Sequence, residues 1–372
     1  MTLTLPPIDT YAPDFKVEIE GQPFDDESKG DVLSLKVVMD LENMTSAEVE
    51  LNNWDDRTFW FKYSDSDGIF PGNRVHVQLG YADRLVSMLR GRIERLAPKF
   101  PQSGASTLSL GVLDDMQLLK ERRPAEGEER QFRGMSDGQI AQRIAQRNGL
   151  ATDIDTDGPT HEEVVQGDHD DATFLMQRAR RIDYDCYIYT DPDTGEPTLR
   201  FGEPRDDRAG ARRREHNFTW GEGLISFTPT LTMSAQVKQV TVRGWNEDRM
   251  EEVVGVANAD SLPGGAQGSG PDNAGDAVAG REDVVIGAAV DTTEEAEALA
   301  QSLLRERAYE FITGAGEIMG YPDLRPGDTV ILANLGNRFS GGYYVKKVEH
   351  ALGTSGFMTK FEARKSYVGE TP

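Results

Sequence analysis

The feature that most constrains this chain is a turn-and-strand motif that occurs twice, near opposite ends of the sequence. Residues 70–77 read Phe-Pro-Gly-Asn-Arg-Val-His-Val, and residues 325–332 read Arg-Pro-Gly-Asp-Thr-Val-Ile-Leu. In both, Pro presets φ and Gly supplies a positive φ, which is the composition of a tight turn. The motif predicts that Pro71 and Gly72 lead into a strand at Val75, and that Pro326 and Gly327 lead into a strand at Val330.

The segments that follow the two motifs come in the same order. A Gly-led strand begins at Gly91 and again at Gly342, and a Ser-Gly turn at residues 103–104 or 355–356 precedes an alternating strand. This shared order indicates two similar β modules, in which Val75 is expected to superpose on Val330 and Ile93 to lie near Val345. The alternative is a pair of unrelated hairpins, because Pro-Gly turns commonly precede strands.

The composition indicates a globular chain of two or three domains. The chain has 372 residues, of which 37% are hydrophobic, and a chain of this length can bury substantial cores. No apolar run reaches the roughly 18 residues of a membrane helix, and residues 1–12 lack the pattern of a secretory signal. The single cysteine, Cys186, excludes an intramolecular disulfide and a cysteine-based zinc site, and is expected in the core.

The net charge is −24, from 64 acidic and 40 basic residues. An acidic surface repels phosphate, so specific nucleic-acid binding is not expected. Three explanations of the acidity stay open: solubility, adaptation to salt, or the wall of a conduit through which a polyanion passes without adhering. The third explanation predicts a net negative channel.

The hydrophobic pattern predicts a β-rich α+β chain with two tube-like β-barrel domains and a small inserted α+β domain. Period-2 segments separated by turns indicate sandwich or barrel modules, and capped amphipathic segments indicate helices. We expect the following divisions: an N-terminal arm at 1–13, a first barrel at 14–120, a linker at 121–134, the α+β insert at 135–205, and a second barrel at 206–372 that contains a flexible loop at 258–280 and a helix at about 291–310.

No catalytic, cofactor-binding or metal site is expected. His161-Glu162-Glu163 and His169-Asp170-Asp171 could suggest a metal, but the spacing of a zinc-binding helix is missing, and a solvated acidic loop explains them. Adjacent carboxylates such as Asp55-Asp56 do not indicate the facing pair of a glycosidase. The cluster Arg205–Arg214 is expected to pair with acids of this chain or of an acidic partner, and nucleic-acid binding is the alternative.

Several segments resemble the phage late control D family, whose members are central hub proteins of contractile tails and injection systems. The resemblance spans nearly the whole chain and is carried by Val17–Gly21, Asp40–Met44, Leu51–Asp55, Tyr63–Ser66, Phe70–Gly72, Leu79–Tyr81, Val242–Asn246, Leu324–Gly327, Phe339–Val345 and Phe361–Arg364. These motifs are turns and strand ends, so they indicate architecture and not chemistry.

The resemblance implies a homotrimer in which each chain contributes two tube-like barrels. Three chains would form a six-fold-like ring that joins a six-fold tail tube to a three-fold spike. Some relatives continue into a spike domain, whereas this sequence ends at Pro372, so a separate spike protein is expected. The other implied partners are a tail tube or tube-initiator protein and baseplate wedge proteins.

The resulting functional hypothesis is a non-enzymatic, trimeric baseplate hub with an axial channel. It would work in an assembled particle, a phage tail or an injection-system baseplate, built in the cytoplasm. The alternative from another class is a peptidoglycan-binding or cell-wall hydrolytic tail component, since the small insert could be a wall-binding fold.

Overall fold

The computed structural model describes residues 12–124, 130–206, 214–246, 249–262, 269–274, 280–288 and 290–369. Most of the expected arm at residues 1–13 lies outside these ranges. The same holds for much of the expected loop at 258–280, whose described part contains a 3₁₀ turn at Ala259–Ser261. None of the helices in the described ranges is long and apolar enough to cross a membrane.

The first β module occupies residues 13–114. Its elements are β1 (Pro13–Ile19), β2 (Gln22–Pro23), α1 (Asp26–Gly30), β3 (Val32–Asp40), β4 (Ser46–Asn52), β5 (Trp54–Asp55), β6 (Trp60–Phe61), β7 (Arg74–Tyr81), β8 (Arg84–Lys99) and β9 (Thr107–Asp114). The long strands pair in the order β1-β7-β8-β9-β4-β3. Alternate residues of these strands, among them Val37, Val49 and Leu108, are fully buried in one core, as the period-2 pattern predicts.

The small insert follows directly. Its elements are α2 (Met116–Glu121), β10 (Gln131–Ser136), α3 (Asp137–Arg147), β11 (Ala151–Ile154), β12 (Thr160–Val165), α4 (Asp171–Arg181), β13 (Asp185–Thr190) and β14 (Pro197–Gly202). Ser136 caps α3 in a capping box with Gln139, and Asp170 caps α4. Helix α2 contributes Met116 and Leu119 to the core of this insert. The insert therefore includes residues that the sequence had assigned to the first barrel and the linker.

The remaining elements alternate between a barrel and a second small unit. They are β15 (Glu215–Trp220), β16 (Gly223–Leu231), β17 (Gln239–Asn246), β18 (Glu251–Asn258), α5 (Gly270–Ala274), β19 (Glu282–Ala288), α6 (Thr293–Tyr309), β20 (Ile312–Met319), β21 (Thr329–Ala333), α7 (Gly336–Phe339), β22 (Gly341–Gly353) and β23 (Gly356–Lys365).

Six of these strands form a closed barrel. The ladder runs β22-β21-β15-β16-β20-β23 and returns to β22 through the β22–β23 pairing. Aromatic rings fill the barrel interior and lie against glycines. A Cβ added at Gly316 would stand 2.3 Å from Cζ of Phe361, and one at Gly314 would stand 2.5 Å from Cζ of Phe227.

A separate three-stranded sheet, β18-β17-β19, lies outside the barrel ladder. Helix α6 packs on this sheet, with Ala296, Ala300 and Leu304 buried against Val240 and Val242. Thr292 caps α6 by accepting a hydrogen bond from the Glu295 amide. This α/β unit lies within residues 206–372, where only a second barrel was expected from the sequence.

The two barrels have the same strand order and share one sheet. When the six long strands of each barrel are numbered along the chain, both ladders run 1-4-5-6-3-2. Strand β3 of the first barrel then pairs antiparallel with β22 of the second, with Val38 opposite Glu349 and Lys36 opposite Ala351. One 13-stranded sheet results. The fold class expected from the sequence is confirmed.

Candidate assembly surfaces

The first Pro-Gly turn is an exposed turn held by an asparagine. Gly72 has a φ of +96°, and its amide donates to the Ile93 carbonyl at 2.8 Å. The Ile93 amide donates to the Asn73 carbonyl at 3.0 Å, and Asn73 Oδ1 accepts from the Phe70 amide at 2.7 Å. Pro71 and Gly72 are exposed. Val75 enters the core, with 2% of its surface exposed.

The second Pro-Gly turn makes the same contacts but is buried. Gly327 has a φ of +87°, and its amide donates to the Val345 carbonyl at 2.8 Å. The Val345 amide donates to the Asp328 carbonyl at 2.9 Å, and Asp328 Oδ2 accepts from the Arg325 amide at 2.9 Å. Pro326 and Gly327 line a cavity of about 260 Å³ between the barrels and the insert. Val330 is fully buried.

The two turns therefore lie in different barrels and do not form one site. The structure explains why both motifs carry Asn or Asp after Pro-Gly: the side-chain oxygen of Asn73 or Asp328 accepts the amide hydrogen bond that closes the turn. The two barrels also agree in strand register. The β8–β9 ladder has a bulge between Ile93 and Arg95, and the β22–β23 ladder has a bulge at the corresponding place, between Val345 and Lys347.

The exposed face of the shared sheet is polar and carries both charge signs. Lys347 donates to Glu362 at 3.2 Å, and Lys360 lies 3.9 Å from Glu317. In the first barrel, Arg95 and Lys99 each lie 3.7 Å from a glutamate, Glu48 and Glu50 respectively. These basic groups are thus paired with carboxylates along a surface that continues from one barrel to the other.

An aromatic patch lies at the end of β8 and on the β5–β6 hairpin. Phe59, Trp60 and Phe100 are 71%, 58% and 60% exposed. Their rings join with those of Trp54 and Phe61, and Phe61 and Phe100 have centroids 5.1 Å apart. Clustered exposed aromatic side chains are typical of protein interfaces. The patch was not expected from the sequence, although four of its five aromatic residues lie within residues 54–61.

A buried ionic cluster connects the insert to α6. His161 Nε2 donates to Asp137 at 3.0 Å and Nδ1 donates to Glu295 at 2.9 Å. Hydrogen bonds to Asp137 and Glu295 raise the pKa of His161 to about 9. Arg178 Nε donates to the other oxygen of Asp137. The cluster is a structural clamp, and within the described ranges no group of three or more histidine, cysteine or acidic residues could hold a metal ion.

The lone cysteine is buried, as expected, and its environment opposes reactivity. Cys186 is 6% exposed in the insert core, and burial raises the pKa of its thiol to about 12.

The structure describes the two ends of the Arg205–Arg214 cluster. Arg205 donates to Asp153 at 2.7 Å, and Arg214 accepts a hydrogen bond at its carbonyl from the Thr329 amide at 2.9 Å.

Comparison with known proteins identifies a family and a fold. A family model described as the Alg8 N-terminal domain matches residues 10–354. In a comparison with curated protein sequences, none matches the chain. Among solved structures, the chain is similar to the 43 kDa tail protein of prophage MuSo2 from Shewanella oneidensis, with 12% identity and a TM-score of 0.69 over 95% of this chain and 98% of that one.

Two further structures are similar over most of their length. The tail protein from Neisseria meningitidis MC58 has 13% identity and a TM-score of 0.68 over 96% of this chain and 100% of that one. An E. coli type VI secretion system component, described as structurally similar to T4 bacteriophage tail proteins, has 14% identity and a TM-score of 0.59 over 96% of this chain and 79% of that one. The resemblance to baseplate hub proteins is thereby confirmed at the level of the fold.

Proposed function

The chain belongs to the family of the Alg8 N-terminal domain. From its fold, which is similar to the folds of tail proteins, we propose that it is the structural hub of a contractile-tail baseplate or contractile injection system. The observation that carries this proposal is the side-by-side pair of barrels with one strand order, joined through β3 and β22 into one sheet. Three copies of a chain that contains two similar barrels can place six similar barrels around one axis, which gives a six-fold-like ring.

In the proposed assembly, three chains surround an axial channel and six barrels form its wall. One rim of the ring meets the six-fold tail tube or its initiator protein, and the other meets a separate three-fold spike, with baseplate wedge proteins outside. The Pro71-Gly72 turn with Val75 and the Pro326-Gly327 turn with Val330 are equivalent positions in this ring. The matched hydrogen bonds of the two turns support that equivalence.

The exposed polar face of the shared sheet is the proposed channel wall. Polyanions bind proteins mainly by releasing counterions when lysines and arginines contact phosphate. On this face Lys347, Lys360, Arg95 and Lys99 already lie beside glutamates. A wall of this kind, net negative in the proposed ring, lets a polyanion pass without adhering.

The proposal is tested by the mass of the complex between the hub and its spike. Light scattering is expected to give three copies of this chain per complex, and one or six copies would overturn the trimeric hub. A non-enzymatic role also predicts that the purified protein neither sediments with peptidoglycan nor clears a cell-wall suspension. Binding or clearing would favour the wall-binding or hydrolytic alternative.

A further inference from the structure

The joint between the two barrels within one chain provides a template for a joint between chains. In the intrachain joint, β3 runs antiparallel to the second half of β22, from Asp40 opposite Lys347 to Leu35 opposite Leu352. The inward side chains of β3 at this joint, Leu35, Val37 and Met39, are at most 5% exposed. The joint thus buries an apolar row and completes the backbone pairing of both strands.

The strand that corresponds to β22 in the first barrel is β8, and its second half has one free edge. Both strands pass a bulge and then pair with the last strand of their barrel, which places Arg95 at the position of Lys347. From Arg95 to Lys99, β8 pairs with β9 alone among the described residues. Leu96 is half-buried and Phe100 is 60% exposed, whereas Val348, which corresponds to Leu96, is fully buried.

The strand that corresponds to β3 in the second barrel is β16, and it also has a free edge. Both strands carry a bulge near their start, between Val32 and Ser34 in β3 and between Leu224 and Ser226 in β16. In the described part of the chain, β15 pairs with β16 at Gly223 and Leu224 only. The inward residues beyond that point, which include Phe227 and Leu231, are half-buried.

We propose that β16 of one chain pairs antiparallel with β8 of a second copy of the same chain, in the register of the intrachain joint. This inference rests on the proposed hub function and names the surfaces through which its copies meet. Transferring the register places Leu96 opposite Leu231, Ala97 opposite Thr230 and Phe100 opposite Phe227. Each free edge then gains the partner that its counterpart already has within the chain.

The exposed aromatic residues support this choice of partner. The patch formed by Trp54, Phe59, Trp60, Phe61 and Phe100 surrounds the far end of the β8 edge. Strand β16 reaches that end with Phe227, preceded by Ile225, which is 48% exposed. The apolar end of β16 thus meets the apolar patch beside β8 of the other copy. Because the contact joins two different surfaces, it is heterologous, and contacts of this type can close into a ring.

One row of the joint differs from its template. Pro98 stands opposite Pro229 where His350 stands opposite Val37 in the chain. Neither proline has an N–H, so this row forms no backbone hydrogen bond. The joint is therefore held by the rows on either side, Leu96 with Leu231 and Phe100 with Phe227.

The test is a disulfide across the outward row, in the full-length double variant Ala97→Cys/Thr230→Cys. Opposed residues of antiparallel strands have Cα atoms about 4.5–5.5 Å apart, within the range that a disulfide spans. The only native cysteine, Cys186, is buried in the insert and is therefore not expected to form crosslinks of its own. Oxidation is expected to give covalent dimers and trimers on non-reducing gels, while either single variant stays uncrosslinked.

Two controls make the result decisive. Val38→Cys/Glu349→Cys occupies the same row of the intrachain joint and is expected to form a disulfide within one chain, which shows that the chemistry works there. Ala97→Cys/Thr228→Cys is displaced by two residues along β16, on the same outward face, and is expected to crosslink much less. Stronger crosslinking of this displaced pair would overturn the register.

Light scattering on the same samples separates the two proposals. A trimer in which Ala97→Cys/Thr230→Cys does not crosslink, while the intrachain control does, overturns this joint and leaves the hub function standing. A protein that stays monomeric both alone and with its spike overturns the hub function itself.

Discussion

At the scale of single residues, each Pro-Gly turn depends on a glycine that adopts a positive φ. Gly72 at +96° has no heavy atom near the place where a Cβ would stand. Gly327 at +87° differs, because a Cβ there would stand 3.2 Å from the hydroxyl oxygen of Tyr187 in the insert. The two positions therefore share a backbone requirement, but only the second is also closely packed.

We expect Gly327→Ala to destabilise the protein more than Gly72→Ala. The positive φ costs on the order of 1–2 kcal/mol in both variants, and the contact with Tyr187 adds to that cost in the first. Urea unfolding measures both free energies. Gly30→Ala, at a position with open space and no positive φ, is the neutral control. Equal losses at Gly72 and Gly327 would contradict the role of Tyr187.

His161 makes stability depend on pH, because both of its ring nitrogens donate to carboxylates. Its pKa in the folded chain, about 9, lies above the ordinary value of 6.5. The clamp to Asp137 and Glu295 therefore contributes fully below about pH 6.5. The contribution is lost as the pH rises from there through about 9.

For His161→Gln we expect a loss on the order of 2 kcal/mol near pH 6 and little loss above pH 9. Thermal or urea unfolding measured from pH 6 to 9.5 checks the slope. His169→Gln is the matched control, because His169 is exposed, and it should keep the wild-type slope. An unchanged slope in His161→Gln would rule out the clamp.

At the scale of elements, local signals predicted most strands and helices, and non-local pairing explains what they missed. Capped amphipathic segments indicated helices, and Ser136, Asp170 and Thr292 cap helices in the structure. The alternating valines of β17, Val240 and Val242, matched the pattern of a barrel strand, because burial has a period of 2 in any sheet. Strand β19 pairs with β17 in parallel, and a partner that lies far along the chain cannot be recognised from the local sequence.

The second barrel depends on aromatic rings that lie over glycines. Phe361 is 2% exposed and its ring occupies the space beside Gly316. We expect Gly316→Ala to cost about 1–3 kcal/mol, because the buried ring cannot move without disturbing its neighbours. Gly353→Ala, whose nearest atom would be 3.8 Å away, should be close to neutral. Chemical denaturation of both variants tests this, and a neutral Gly316→Ala would contradict the packing.

At the scale of the whole molecule, the two barrels share one sheet, so we expect them to unfold as one cooperative unit. Strand β22 belongs to both through its pairing with β3. Further contacts join the barrels: Arg84 makes two hydrogen bonds to Asp323, at 2.7 and 2.8 Å, and the Tyr81 hydroxyl donates to the Gly320 carbonyl at 2.7 Å. The sequence could not predict this joint, because β3 and β22 are separated by most of the chain.

We expect Val348→Ala to loosen both barrels together. Val348 is fully buried in the shared strand, and removing its methyl groups should cost roughly 1.5–3 kcal/mol. Hydrogen exchange should speed up in β4 and in β20 to a similar extent. Val253→Ala, in the core of the separate α/β unit, should speed exchange in β17 and β18 instead. A response confined to one barrel would show that the barrels unfold separately.

The joint that is already made inside each chain also affects how a ring can assemble. Every free body that joins a complex loses translational and rotational freedom, at roughly 4–15 kcal/mol. Barrels linked in pairs bring half as many bodies to the proposed ring as separate barrels would. Half of the contacts between barrels then form during folding, independently of protein concentration, so a complete ring can persist at dilutions where a ring of single barrels would dissociate.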